Sequence, residues 1–139
     1  MRKVNITKKF IKLVTASVIA GACLVTSASA YLDIGDSVTY TVKSNSTTWD
    51  NKNNTWAWDL KNASTCVFKG TVTSGCSAYY ALYQWTFNQS EKEAFKKTNR
   101  STNFSLTSSG TLPEDDYFAR VTYSSGGINN GTLTFSKKS

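Results

Sequence analysis

Apolar and polar residues alternate with a period of two along much of this 139-residue chain. Val38, Tyr40 and Val42, for example, are separated by Thr39 and Thr41. Because successive side chains of a β-strand point to opposite faces of a sheet, this period predicts strands with one buried and one solvated face. Such spacing predicts an all-β fold, an antiparallel sandwich of about seven strands. The seven segments are 37–43, 56–60, 66–72, 79–87, 104–106, 117–123 and 133–135.

Residues that suit turns and strand faces dominate the chain after residue 30. Ser, Thr and Asn occupy 41 of those 109 positions, which leaves few good helix formers. One segment departs from this pattern, because Ser90–Glu93 matches a capping box and Lys96–Lys97 suits the negative end of a helix. We therefore expect one short crossover helix over residues 91–98, with Phe95 turned towards the core.

Aromatic residues form the widest apolar faces. Because aromatic side chains dominate the cores of small domains, we expect two such faces to point inward. The first face consists of five residues of one strand: Tyr79, Ala81, Tyr83, Trp85 and Phe87. The second face consists of three residues: Trp56, Trp58 and Leu60.

Residues 1–30 have the three parts of a secretory signal peptide. Basic residues precede a 13-residue apolar run, Leu13–Val25, and Ala28–Ala30 supplies small residues for cleavage after Ala30. A bilayer-spanning helix needs about 20 residues, so this run is short for an anchor. We expect export, one domain over residues 31–139, and no transmembrane anchor in the mature chain. The alternatives are a short membrane anchor and a lipoprotein acylated at Cys23.

The strong positive charge belongs to this leader. The whole chain has 16 Lys and Arg against 9 Asp and Glu, and 11 of the bases follow residue 30, so the net charge falls from +7 to +2. The basic start is similar in style to the signals of Gram-positive bacteria. Nucleic acid is therefore not an expected partner.

Two cysteines, Cys66 and Cys76, follow the leader. An even count in an exported chain predicts a disulfide, which would close a loop of about ten residues and stabilise the fold by roughly 2–3 kcal/mol. A tight turn at Ser74–Gly75 would hold the two Cα atoms too far apart, so the disulfide requires a wider or bent connection. The alternative is two buried free thiols.

Histidine is absent from the sequence. This absence excludes histidine-based catalytic triads and histidine-ligated zinc. The sequence also lacks a Ser-x-x-Lys pair, a Gly-x-Ser-x-Gly elbow and a glycine-rich phosphate loop. We therefore predict no enzymatic activity, no catalytic residues and no cofactor. Two carboxylates brought together by folding stay open as a catalytic route.

An acidic run, Glu114–Asp116, is a candidate metal site. Clustered oxygen ligands suit calcium, but the run lacks the alternating spacing of a calcium-binding loop. It also follows Pro113 and precedes a predicted strand, so we interpret it as a charged turn and predict no metal. Calcium binding here is the alternative.

Trp49 lies in a polar stretch, residues 44–54, with the composition of a loop. An exposed aromatic ring beside Asn and Asp side chains is typical of sugar-binding surfaces. Trp49, Asp50 and Asn51 are therefore predicted binding residues. Tyr80 is the fourth, because it lies opposite the predicted inward face of its strand.

These features favour a small secreted binding protein without catalytic activity, which acts on a cell-surface glycan or protein. The first alternative is a secreted bacteriocin-like antimicrobial or toxin, suggested by small size and export. The second alternative is a cell-wall hydrolase that uses two carboxylates.

The signal peptide yields a prediction about processing. We expect the secreted protein to begin at Tyr31, because small residues at positions 28 and 30 suit signal peptidase. Mass spectrometry of the N-terminal peptide checks this expectation. A secreted chain that begins with a lipid-modified Cys23 would contradict it.

Overall fold

The alternation in the sequence becomes strand pairing in a computed structural model, which describes residues 31–44, 48–54, 57–85 and 91–139. The predicted signal peptide, Trp56, Phe87 and Ser90 lie outside these residues. The described chain runs through β1 (Ser37–Val42), β2 (Thr48–Asp50), the helical turn α1 (Asn51–Asn54), β3 (Trp58–Leu60), β4 (Ser64–Gly70), β5 (Ser77–Trp85), β6 (Lys92–Arg100), β7 (Phe104–Leu112), β8 (Asp115–Ser125) and β9 (Asn129–Lys137).

The strands form two antiparallel sheets. One sheet has four strands in the order β1-β9-β4-β7. The other has five strands, in the order β2-β8-β5-β6 with β3 also paired to β8. β2 pairs with residues 120–122 of β8 and β3 pairs with residues 115–117, so α1 interrupts a single edge of this sheet. The predicted all-β antiparallel sandwich is confirmed.

The inward faces of the two sheets meet in one hydrophobic core. In β1, buried and exposed residues alternate as the sequence predicts. Trp58 is also buried as predicted, and its indole Nε1 donates a hydrogen bond to the backbone oxygen of Asp36 at 3.0 Å. The core residues are Val38, Tyr40, Val42, Trp58, Leu60, Cys66, Phe68, Ala78, Tyr80, Leu82, Phe95, Tyr117, Ala119, Val121, Leu133 and Phe135.

A chain of buried hydrogen bonds crosses this core between the sheets. Tyr40 of β1 donates its hydroxyl hydrogen to the carbonyl oxygen of Thr71 at 2.7 Å. A hydroxyl has one hydrogen to donate, so Tyr40 accepts from the hydroxyl of Tyr80 in β5, 2.6 Å away. Tyr80 accepts in turn from Nδ2 of Asn129 at 3.0 Å, and Asn129 Oδ1 accepts from the N–H of Thr73 at 3.1 Å. Burial raises the pKa of both tyrosines, so this chain stays neutral.

The predicted helix over residues 91–98 is wrong, because most of this segment belongs to β6. Phe95 does face the core, as predicted, and lies opposite Leu82 of β5. A helix cap is worth only about 1 kcal/mol. Pairing with β5 supplies a backbone hydrogen-bond ladder and buries Phe95, so it outweighs the local helix signal.

The predicted inward face of β5 is also wrong. The structure places Ala78, Tyr80 and Leu82 in the core, and Tyr79 and Tyr83 on the opposite face. Both faces of this strand are apolar, so a period of two does not decide between them.

The predicted disulfide between Cys66 and Cys76 is absent, and both cysteines are free and buried. Cys66 belongs to β4 in one sheet, whereas Cys76 directly precedes β5 in the other. Between them, the N–H of Cys76 donates to the carbonyl of Thr73 at 3.0 Å, and Gly75 has a φ of 80°. This tight turn is incompatible with a disulfide, because it holds the two Cα atoms too far apart.

Each thiol has a backbone acceptor. Cys66 Sγ lies 3.4 Å from the carbonyl oxygen of Ser64, and Cys76 Sγ lies 3.0 Å from that of Gly126. Gly126 has a φ of 97°, and a Cβ at this position would collide with the Gly75 carbonyl. The turn that carries Cys76 is therefore held against the turn between β8 and β9.

We expect two free thiols per chain when a protein of residues 31–139 is titrated with a thiol reagent after denaturation without reductant. Burial raises the pKa of the Cys66 thiol, so we expect its reaction in the native protein to be slow. A denatured protein with no reactive thiol and a mass lower by two hydrogens would contradict the structure.

Candidate functional site

Trp49 does not lie in a loop. It is the central residue of β2, pairs with Val121 of β8, and is half-buried. Its ring lies 6.1 Å from the ring of Tyr40, centroid to centroid, and packs against the core. The prediction that Trp49 is an exposed loop residue is therefore wrong.

The other three predicted binding residues are buried. Asn51 is fully buried, and its Oδ1 accepts a hydrogen bond from the N–H of Ala119 at 2.7 Å. Asp50 is 7% exposed and pairs with Arg120, and Tyr80 belongs to the hydrogen-bond chain of the core. Their positions indicate structural roles, because side chains that are this deeply buried offer a ligand almost no surface.

A different set of aromatic residues reaches the solvent side of the five-stranded sheet. Since β5 buries Tyr80 and Leu82, strand geometry turns Tyr79, Tyr83 and Trp85 to the outer face. Tyr79 is 37% exposed, and the other two are half-buried. We call these three residues the outer aromatic row.

Each ring of the outer aromatic row has a cation from the chain itself above it. Lys97 Nζ lies 4.8 Å from the centroid of Tyr79, and Arg120 Cζ lies 4.8 Å from that of Tyr83. Lys52 Nζ lies 5.0 Å from the ring of Trp85. Contacts of this kind are worth about 0.5–1 kcal/mol at exposed sites. The surface of the outer aromatic row therefore combines aromatic rings with positively charged side chains.

Phe118 of β8 supports the middle of this face. It lies opposite Tyr83 in the strand pairing, and the two rings stack at 5.3 Å with an interplanar angle of 17°. Arg120 and Lys52 also lie over the Phe118 ring, at 5.3 and 5.5 Å, and Phe118 is fully buried. This packing fixes the orientation of the Tyr83 ring and the distance of both cations from the sheet.

Two carboxylates neutralise the cations in the centre of the face. Glu91 bonds Lys52 Nζ at 3.0 Å and Arg120 Nη1 at 3.1 Å, and Asp50 lies 3.5 Å from Arg120 Nη2. Burial alone would raise the pKa of Glu91, but the hydrogen bonds from Lys52 and Arg120 outweigh it and lower the pKa. Burial would likewise lower the pKa of Arg120, and the contacts with Glu91 and Asp50 raise it instead.

Acidic residues cluster at one end of the same face. Asp59 of β3 and Asp116 of β8 are a direct cross-strand pair, and both are buried. The hydroxyl of Tyr31 donates a hydrogen bond to Asp116. Burial, together with the negative charges of Asp116 and Asp59, raises the pKa of Tyr31 to about 12. A cleft of about 500 Å³ borders Asp59.

The acidic run Glu114–Asp116 does not form a turn of converging ligands. Asp115 Oδ2 accepts a hydrogen bond from Gln84 at 2.9 Å, whereas Asp116 is the cross-strand neighbour of Asp59. The carboxylates of Asp115 and Asp116 therefore have separate surroundings. Within the described ranges, no group of three or more acidic or cysteine side chains is arranged to hold a metal ion. The same part of the chain contains no helix that is long and apolar enough to cross a membrane.

The sequence contained a signal for this face. The spacing of Tyr79, Tyr83 and Trp85 correctly groups them on one side of a strand. The spacing does not indicate which side of the strand is buried, because Ala78, Tyr80 and Leu82 form an equally apolar stripe. Packing of the two sheets makes that choice.

No protein-family model matches this sequence, and no curated protein matches it. Among solved structures, the chain is similar to the pre-peptidase C-terminal domain of collagenase from Bacillus anthracis, with a TM-score of 0.54 and 8% identity over 76% of this chain and 92% of that one. It also matches the Yersinia pseudotuberculosis-derived mitogen, with a TM-score of 0.43 and 10% identity over 76% and 88% of the two chains. A third match is CsCBM6-3 from Clostridium stercorarium in complex with cellobiose, with a TM-score of 0.34 and 17% identity over 78% and 72%. The first similarity supports the β-sandwich fold, and the other two structures superpose only loosely on this chain.

The ion pairs of Glu91 yield a prediction about pH. A carboxylate whose pKa is lowered on folding stabilises the protein above its unfolded pKa, and this contribution is lost as the pH falls through the folded pKa. We therefore expect Glu91→Gln to destabilise the protein at pH 7, and the difference from the parent to shrink between about pH 5 and pH 3. Urea unfolding across this range measures it.

Glu93→Gln is the matched control, because Glu93 is an exposed acid two residues after Glu91. It has no ion pair in the described part of the chain. We expect its effect on the free energy of unfolding to stay within about 0.5 kcal/mol. Equal pH dependence in the two variants would contradict a structural role of the Glu91 pairs.

Proposed function

We propose that this protein is a secreted, non-catalytic binding domain, and that it binds a cell-surface glycan on the outer aromatic row. One observation carries the proposal: β5 turns Tyr79, Tyr83 and Trp85 away from the core, onto the solvent side of a sheet. Tyr79 is 37% exposed and the other two rings are half-buried, and apolar surface left in water costs roughly 25 cal/mol per Å². Binding of a partner offsets this cost.

The chemistry of the row favours a sugar as the partner. The C–H groups of a pyranose pack against aromatic rings, and its hydroxyls bond to charged side chains such as Arg120 and Glu91 beside those rings. Strand geometry spaces Tyr79 and Tyr83 about 13 Å apart, and Tyr83 and Trp85 about 7 Å apart. A platform of this length suits several linked sugar units better than a single one.

Export is part of the proposal and rests on the signal-like residues 1–30. A surface glycan is the kind of ligand that an exported domain meets. The antimicrobial or toxin alternative keeps the same export and the same row, and differs in the effect that binding has on the target cell. Growth inhibition of related bacteria by the purified protein would favour it.

A specific observation also favours a second candidate function, glycoside hydrolysis. Asp59 and Asp116 are direct cross-strand neighbours, so their Cβ atoms lie about 4.5–5.5 Å apart, and most glycosidases use two carboxyl groups that flank the scissile bond. Trp85 lies directly opposite Asp116 on β5, so an aromatic ring adjoins this pair. We place this candidate second, because both carboxylates are buried.

Substitution of Tyr79 tests the proposed function. We expect Tyr79→Ala to weaken binding to an array of cell-surface glycans by about tenfold or more, because an aromatic contact anchor contributes that much. The melting temperature should stay close to that of the parent, since Tyr79 is exposed. Tyr79→Phe keeps the ring and should keep the binding.

Ile128→Ala is the matched control, since Ile128 is 59% exposed and lies outside the row. Binding to no glycan, or equal binding by the parent and Tyr79→Ala, would contradict the proposal. Release of reducing ends from a bound glycan, abolished by Asp59→Asn, would favour the hydrolase instead.

A further inference from the structure

Two lysines on β6 face a single residue of β5. Tyr80 pairs with Thr98 and Leu82 pairs with Phe95, so Lys96 and Lys97 together oppose Ala81. This arrangement is a β-bulge, which bends a strand and redirects its side chains. Both lysines are exposed, and the bulge places Lys97 Nζ over the ring of Tyr79 at 4.8 Å.

These lysines differ from the other cations of the same face. Lys52 and Arg120 are neutralised by Glu91 and Asp50. Lys96 and Lys97 have no ion-pair partner within the part of the chain that the structure describes. The uncompensated positive charge of the outer face therefore lies beside Tyr79, its most exposed ring.

The acid nearest along β6 limits where an anion fits. Glu93 is exposed and lies opposite Tyr83, towards the Trp85 end of the row. Farther along, Asp116 lies opposite Trp85. Negative charge at this end disfavours an anionic group there. An anion on the face is thus directed to the Tyr79 end.

A lysine on an edge strand also protects a sheet from pairing with another chain, and β6 is an edge strand. Edge protection requires only that the charge be at the edge. It does not require Lys97 to lie over a ring on the sheet face, where its charge adjoins the exposed part of Tyr79.

We propose that the ligand is an acidic polysaccharide, one that carries carboxylate or phosphate groups. Its anionic group bonds Lys97 and Lys96 at the bulge, and the sugar ring next to that group packs on Tyr79. This inference rests on the proposed glycan-binding function and adds the charge class of the ligand. Lys52 and Arg120, which are neutralised, pack on the neighbouring rings, and Lys96 and Lys97 select the ligand.

The test uses the secreted protein and a glycan array with matched pairs: uronic acid polymers with their methyl esters, and phosphorylated mannans with their dephosphorylated forms. We expect the acidic member of at least one pair to bind at least tenfold more tightly than its neutral partner. Because exposed charges are screened by salt, we expect this preference to fall when the salt concentration rises from 0.05 to about 0.5 M.

The double substitution Lys96→Gln/Lys97→Gln should weaken binding of the acidic member about five- to tenfold and leave the neutral member unchanged. Lys96→Arg/Lys97→Arg keeps the charge and should keep the preference. The matched control is Lys69→Gln/Lys138→Gln, which removes two exposed lysines outside the outer face and should have no effect.

The outcomes separate this inference from the proposed function. If acidic and neutral members bind equally and Tyr79→Ala abolishes both, the acidic ligand is overturned and glycan binding stands. If no member of the array binds, both are overturned. If the preference survives the glutamine substitutions, the two lysines do not select the ligand and the inference fails.

Discussion

The hydrogen bonds through Tyr40, Tyr80 and Asn129 hold the two sheets of the sandwich in a single relative arrangement. They join β1 and β9 of one sheet to β5 of the other, inside a core where water does not replace a missing partner. A buried polar group left without its partner costs about 1–3 kcal/mol. A shift of β5 by one residue would turn Tyr80 to the other face and break several of these bonds together. The hydrogen bonds therefore fix both the register and the orientation of β5.

The outer face depends on this internal constraint. Once Tyr80 points inward, alternation turns Tyr79 and Tyr83 outward. The ring of Tyr83 then stacks on Phe118 beneath Arg120 of β8, and the ring of Tyr79 lies beneath Lys97. Glu91 links Arg120 to Lys52. The face therefore combines apolar area with charges whose positions are fixed by packing. A preorganised surface of this kind loses less conformational freedom when a ligand binds.

Local sequence signals failed where strand pairing offered more free energy. The capping pattern at Ser90–Glu93 is favourable for a helix, but it competes with a long pairing between β6 and β5. Similarly, the even number of cysteines predicted a disulfide, but Cys66 lies in β4 of one sheet and Cys76 ends the tight turn that leads into β5 of the other. In the first case pairing with the preceding strand overrides a local helix signal, and in the second case the turn at Gly75 overrides the even count of cysteines.

Local alternation in the sequence was enough to predict the all-β sandwich, the positions of most strands and the core face of β1, because one face of that strand is clearly more apolar than the other. It also grouped Tyr79, Tyr83 and Trp85 on one face, because side chains two apart in a strand share a side. The folded protein, by contrast, is needed to see which side of β5 is buried, that Trp49 belongs to a strand, and that a bulge places Lys97 over Tyr79. These features depend on how the two sheets pack and on the register between strands, which arise from contacts between residues far apart in the chain.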